Sequence, residues 1–264
     1  MKFYVSSLLM GMSKMEELAE WINNEAMEDV GVELIAFTHN EAYWERLLKV
    51  LDNISCPVTF HGPYIGVEAT YPEGTEEYNW MIESYDRVFA LAKKHKVNHI
   101  VFHYTQKFYS EEDRKAVQEI SYKNIKTLMK MAEDYGVNML IENLPIPKGK
   151  IPLYTNEEYS ELFERLPEAK SIIDIGHANM NGLNLDDFLK NHGSKVKAYH
   201  FHNNNGEKDL HNSFLEGTFD YKEFVVKYKE NTPNADIVLE YEPHVKITFE
   251  ELKEQLKLLK KMFA

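Results

Sequence analysis

Along this chain, short runs rich in branched and aromatic apolar residues alternate with longer segments whose apolar positions recur three and four apart, as at Val88, Leu91 and Ala92. Strands are predicted near 2–9, 31–37, 57–61, 98–103, 137–142, 170–175, 196–202 and 236–241. Helices are predicted near 13–28, 41–53, 76–96, 111–135, 156–165, 184–192, 219–230 and 247–263. Strict alternation demands parallel strands with helical crossovers, and repeats without a change of composition favour a closed barrel over an open doubly wound sheet. The expected fold is therefore α/β, a single (β/α)8 TIM barrel over residues 1–264. Punctuation agrees: Thr155 with Glu158 and Ser110 with Asp113 read as capping boxes, Gly136 follows one helix and Pro233 another.

A composition of 44% hydrophobic and 28% charged residues over 264 positions suits one large core. The opening MKFYVSSLLMGM lacks a small-residue cleavage site and runs straight into a charged helix, so it is expected to be the first strand and not a signal peptide. No apolar stretch approaches the roughly 18 residues that a bilayer span needs, so no membrane association is expected. Cys56 is the only cysteine; no intrachain disulfide can form, any metal ligands must be His, Asp or Glu, and cytoplasmic residence is expected. A net charge of -13 disfavours nucleic acid as a partner, because phosphate binding draws on clustered Lys and Arg.

Six apolar runs end in a carboxylate or an imidazole: VTFH, HIVFH, NMLIE, SIIDIGH, KAYHFH and DIVLE. In a parallel barrel these ends share one rim, and the longest irregular stretches, 62–75, 104–110, 143–154 and 203–218, follow strands of this kind. The candidate ligands are His61, His103, Glu142, Asp174, His177, His200, Asp209, His211 and Glu240. A divalent ion needs anionic oxygen or neutral nitrogen donors converging on one point. Glu142, Asp174, His200 and Glu240 come from four different strands, the arrangement of an open catalytic site. Asp174 at the strand end and His177 in the loop that follows are three apart across a Gly turn. Asp209 and His211 are two apart, as are His200 and His202, and would point the same way if extended. One of the latter two is expected to be a ligand while the other packs or binds substrate.

Other features have plainer readings. A lone strand-end carboxylate commonly pairs with a lysine or caps a helix, and His39, His95, His99, His192 and His244 are expected at the surface. Tyr64, Tyr71, Tyr104, Phe108, Tyr109 and Tyr154 decorate the loops and serve either to stack on a substrate or to pack the lids. Lys107, Lys148 and Lys150 could meet a phosphate, though loop lysines are usually solvated. The run EELKEQLKLLKKMF reads as a helix that closes the barrel.

Taken in order, FHGPY, VFH, IEN, IDIGHAN, HFHNNNG, DLH, LEG and LEYEP resemble the xylose isomerase-like TIM barrel superfamily from about residue 58 to 243. That superfamily contains sugar and sugar phosphate isomerases and epimerases as well as endonuclease IV. In the isomerase branch the resemblance implies one divalent ion (Mn, Zn, Co or Mg) on Glu142, Asp174, His200 and Glu240, with Glu142 and Glu240 as the acid/base pair. His177, His61, His103, Asn143 and His202 would contact the substrate. In the endonuclease IV branch it implies three zinc ions: His61 and His103 with Glu142, the central four residues, and His177 with Asp209 and His211. The LPIPKGK that follows Asn143, and the His202-Asn203-Asn204 run, depart from the nuclease pattern.

The expected function is thus a metal-dependent sugar or sugar phosphate isomerase or epimerase, moving a proton at the carbon next to a carbonyl through a metal-stabilised enediolate. The alternatives are a zinc-dependent phosphodiester hydrolase of the endonuclease IV type and a non-catalytic metal- or sugar-binding barrel. The expected partner is a small sugar or sugar phosphate, and a homo-oligomer is compatible with the sequence.

Overall fold

The computed structural model describes residues 1–11, 13–25 and 30–264. Eight parallel strands close into a barrel in chain order: β1 (Phe3–Ser6), β2 (Val30–Ile35), β3 (Val58–His61), β4 (Ile100–Phe102), β5 (Met139–Glu142), β6 (Lys170–Asp174), β7 (Val196–Phe201) and β8 (Asp236–Leu239). Closure is made by β1 against β8, with Phe3 opposite Ile237. The helices among the described residues are α1 (Met15–Asn24), α2 (Glu41–Asn53), α3 (Glu76–His95), α4 (Glu111–Tyr135), α5 (Asn156–Arg165), α6 (Ile175–Asn181), α7 (Leu185–His192), α8 (Tyr221–Asn231) and α9 (Phe249–Phe263). None is long and apolar enough to cross a membrane.

The strands read as nearly continuous apolar runs because both of their faces are buried. Outward residues such as Val5, Val32, Phe60, Ile100, Ile141 and Tyr199 pack on the helices, in one core with Leu18, Leu47, Val88, Leu128 and Leu256. Inward residues Val101, Leu140, Ile172 and Ala198 form a separate apolar cluster inside the barrel.

Local chemistry explains most helix ends. Thr155 makes the reciprocal capping box with Glu158, whereas Ser110 accepts from the Asp113 amide and donates its hydroxyl to the Asp113 carboxylate at 2.6 Å. Gly136 ends α4 at φ 72°, in the left-handed region that glycine adopts without strain.

Four expectations need correction. The first strand stops at Ser6, and Ser7–Met10 turn as a 3-10 segment capped by the Ser6 side chain. Ile175–Asn181, expected to be a loop around His177, is helical, because Asp174 caps it by accepting from the His177 amide at 2.7 Å. His99 and His192, expected at the surface, are buried. His99 lies edge-on to Tyr4 with ring centroids 6.0 Å apart. His192 extends the apolar stripe of α7 and meets Ser160 Oγ at 2.8 Å. The end of the first predicted helix, 26–28, lies outside the described residues.

Candidate functional site

Every strand ends on the same rim, so β5, β6, β7 and β8 deliver Glu142, Asp174, His200 and, one residue beyond β8, Glu240 to one place. Strand register sets Asp174 beside His200. One potential donor atom from each of these four residues lies within 4.8 Å of the others, and all four side chains are buried. Two further groups meet the same distance condition: His61, His103 and Glu142; and His177, His202, Asp209 and His211. All nine candidates from the sequence are thereby brought together.

Glu142 links two of the groups through its two oxygens. Oε2 lies 2.6 Å from His103 Nε2, and Oε1 lies 2.8 Å from His200 Nδ1. Asp209 ties the third together: Oδ2 is 3.0 Å from His177 Nε2 and 3.2 Å from His211 Nε2. The long loop reaches the rim because Asn203 and Asn212 pair across it as an antiparallel bridge. Within it His211 takes a left-handed backbone (φ 43°), a costly conformation for a non-glycine residue and one that clusters at functional sites.

Three imidazoles are anchored alike. Nδ1 of His61 lies 3.0 Å from the Gly62 carbonyl, that of His177 lies 2.8 Å from the Asn143 carbonyl, and that of His211 lies 3.0 Å from the Glu240 carbonyl. A carbonyl only accepts, so each Nδ1 carries a proton; on His177 and His211 the Nε2 donates to Asp209 while it too is protonated, and it is the nitrogen free to act as a ligand once that proton is lost.

Electrostatics point the same way. Burial pushes the Glu142 carboxyl up, but the charges of His200 and His103 outweigh burial and hold it well below the usual range. Burial pushes Asp174 up, and His177 and His202 bring it down to a net lowering. Burial disfavours charge on His200, yet Glu240, Glu142 and Glu33 raise it well above its ordinary value. His177 is likewise raised by Asp174 and Asp209 against burial, and His211 is raised to about 9, chiefly by Asp209. Burial lifts Glu240 to about 8 despite His200 and His211. Thus protons on histidine and on Glu240 balance an otherwise excessive negative charge. Lys107 is the only Lys or Arg among the described residues lining the cavity, and its Nζ is held 2.5 Å from the Tyr71 hydroxyl. Asp209 Oδ1 is buried with no hydrogen-bond partner among the described residues. Clustered, deprotonatable oxygen and nitrogen donors with so little other cationic compensation fit divalent cations.

Above this floor is a cavity of about 320 Å³. His61, His103, Glu142, His177, Asp209, His211 and Glu240 face it, and Leu8, Tyr64, Tyr104, Phe108, Leu144 and Leu153 form much of its apolar wall. Tyr71, Tyr109, Tyr154, Lys148 and Lys150 are not among its lining residues. Tyr154 instead packs edge-on against Tyr104 at 5.0 Å.

Asn143 and His202, expected to contact substrate, do not line the cavity either. The Asn143 side chain stitches β5 to β6, accepting from the Asp174 amide at 2.8 Å and donating to the Asp174 carbonyl at 2.9 Å. His202 Nε2 lies 3.0 and 2.9 Å from the two Asp174 oxygens, and its ring stacks on His211 at 3.9 Å. Glycine is required at position 176 because a Cβ there would overlap the His202 ring.

One buried residue was missed from sequence: Glu33, fully enclosed in β2 and facing His200. A carboxylate inside the otherwise apolar VGVELIAF was the available signal.

Comparison with known proteins follows this geometry. An uncharacterized protein, MJ1614, of Methanocaldococcus jannaschii is 31% identical over 137 residues, which is 52% of this chain and 52% of that protein. The chain spans about half the length of the curated relatives it matches. A crystal structure of a D-tagatose 3-epimerase-like protein superposes with a TM-score of 0.78 at 24% identity, covering 100% of both chains. An IOLI protein with a zinc atom superposes with a TM-score of 0.76 at 16% identity, again over 100% of both. At such identities these two likenesses speak for the fold. Residues 23–262, from the end of α1 into α9, match the family model described as xylose isomerase-like TIM barrel, and the chain belongs to that family.

Proposed function

We propose that the protein is a divalent-metal-dependent isomerase or epimerase of a sugar or sugar phosphate. The observation that carries this reading is the pair Glu142 and Glu240: two buried carboxylates, from strands three apart around the ring, that both face one cavity and both belong to the central four-residue group. The neighbours named for D-tagatose 3-epimerase and for a zinc-bearing IOLI protein support it.

Glu142, Asp174, His200 and Glu240 would hold the ion. Such an ion supplies a Lewis acid at the substrate oxygen, where negative charge develops when the adjacent C–H bond breaks. Glu142 and Glu240 do the proton work, one carboxylate oxygen taking the proton from carbon on one side and the other returning a proton from the opposite side. His61, His103 and His177, with their Nδ1 protons fixed or their rings packed at the floor, orient hydroxyl groups. Tyr64 and Tyr104 offer an apolar wall to a sugar face.

The test is deuterium exchange. Manganese-loaded protein is incubated in D2O with a panel of ketoses and ketose phosphates, and label at carbon is followed by NMR. Label entering one of them at the carbon beside the carbonyl is the expected result. No label in any member, together with cleavage of abasic DNA, would overturn the reading.

One observation favours a second reading. The nine candidates fall into three neighbouring groups, two of them sharing Glu142, as three zinc ions of an endonuclease IV-like hydrolase would require. Against it stand the net charge of -13 and a cavity whose lining has one lysine and no arginine among the described residues. Counting bound ions separates the two.

A further inference from the structure

Beneath the rim, the inside of the barrel is apolar over β4 to β7 and polar over β1 to β3. Opposite the apolar cluster of β4 to β7, strands β1 to β3 turn Tyr4, Ser6, Glu33 and Thr59 inward, and register sets Glu33 between Ser6 and Thr59. Glu33 is fully buried, and no lysine or arginine is paired with it among the described residues. A carboxylate so placed needs a donor, and His200 is the one within hydrogen-bond reach among the described residues: Nε2 lies 3.4 Å from Oε2, its hydrogen-bond partner, and 3.3 Å from Oε1, which has none.

The other nitrogen of the same ring faces the cluster. His200 Nδ1 is 2.8 Å from Glu142 Oε1, 3.3 Å from Glu240 Oε2 and 3.8 Å from Asp174 Oδ2. His200 is therefore turned the opposite way from His61, His177 and His211, which give Nδ1–H to backbone carbonyls and present Nε2. An imidazole can offer one lone pair to a cation only while the other nitrogen keeps its proton. The His200 side chain is fully buried, its ring near-parallel to that of His61 with centroids 6.0 Å apart.

We propose that Glu33 is a positioning residue that holds Nε2–H of His200 and so selects Nδ1 as the atom that binds the ion. The proposal rests on the reading that Glu142, Asp174, His200 and Glu240 hold a divalent cation, and is independent of which reaction follows. Glu33 itself does not line the cavity and acts only through His200.

The test compares wild type with Glu33→Gln and Glu33→Leu, stripped of metal and titrated with zinc against a chelating dye, alongside ring 15N–1H spectra of the zinc-loaded proteins. Wild type is expected to show His200 protonated at Nε2 and ligated at Nδ1. Glu33→Leu should bind about 10–100-fold more weakly and lose that single-tautomer signature, while Glu33→Gln, whose amide oxygen still accepts from Nε2–H, should retain the tautomer and fall between. A wild-type spectrum with His200 ligated at Nε2 would overturn the proposal. So would a folded Glu33→Leu that binds zinc within about twofold of wild type with the Nδ1 signature intact. Should Glu33→Leu not fold, the wild-type and Glu33→Gln spectra decide the question. Absence of sugar turnover would end the catalytic reading without touching these readouts.

Discussion

Loading the site with a divalent ion should release protons in a number that can be worked out from the central group. Glu142 and Asp174 are held below their usual ranges and are already anionic at pH 7. His200 is raised well above its ordinary value, and Glu240 is raised to about 8. At pH 7 a carboxyl titrating near 8 is roughly nine-tenths protonated and such a histidine nearly fully so, giving about two protons for the ion to displace. By linkage the affinity then rises about 100-fold per pH unit near neutrality, and less steeply above about pH 8.5, where Glu240 has already lost its proton. Isothermal titration with Mn²⁺ in buffers of differing protonation enthalpy reads the count directly. Fewer than about half a proton per ion at pH 7, or an affinity flat between about pH 6 and 8, would refute this charge balance.

Further consequences can be checked on single variants or on the metal-free protein. Glu240→Gln should lower carbon–proton exchange by about 10²–10⁴-fold while circular dichroism stays native; near-normal exchange would remove Glu240 from the acid/base pair. Between about pH 7 and 9 the folded metal-free protein binds more protons than the unfolded chain, because His200, His177, His211 and Glu240 all titrate higher when folded, while the lowered His61, His99 and His202 are largely neutral in both states. Stability from these groups is present below their unfolded values and is lost as pH rises through the folded ones, so the metal-free Tm should fall across this window; a constant or rising Tm contradicts it. Gly176→Ala drives a Cβ into His202, which is wedged between Asp174 and His211, and should destabilise the fold by about 1–3 kcal/mol in urea titrations. An unchanged midpoint would mean that the ring moves freely.

Much of the barrel was legible because its strands and helices differ in period, and the limits of α2, α4 and α5 follow apolar spacing and caps directly. What escaped was governed by contacts distant in sequence. The IGHANMN segment looks like a glycine turn, yet Asp174 caps it into a helix, so one carboxylate both starts α6 and joins the central group. His99 and His192 have unremarkable neighbours in sequence, and only the barrel interior and the stripe Leu185, Phe188, Leu189 bury them. Six of the nine candidates, His61, His103, Glu142, Asp174, His200 and Glu240, stand at or just beyond strand ends and could be named in advance because parallel strands share a rim; His177, Asp209 and His211 lie in the segments that follow β6 and β7. Which atoms face which could not, since the opposite orientation of His200 depends on Glu33 from a strand more than 160 residues away in sequence. Asn143 and His202 were assigned to substrate contact by their position beside Glu142 and His200, whereas side-chain direction commits both to Asp174.

The central claim is that Glu142, Asp174, His200 and Glu240 grip one divalent cation at the floor of the cavity. Diffraction from crystals soaked in Mn²⁺, collected across the manganese absorption edge, tests it most directly. The account predicts an anomalous peak within about 2.0–2.3 Å of a carboxylate oxygen from each acid and of His200 Nδ1. A peak bound elsewhere, or none at this point in crystals that exchange metal freely, would contradict it.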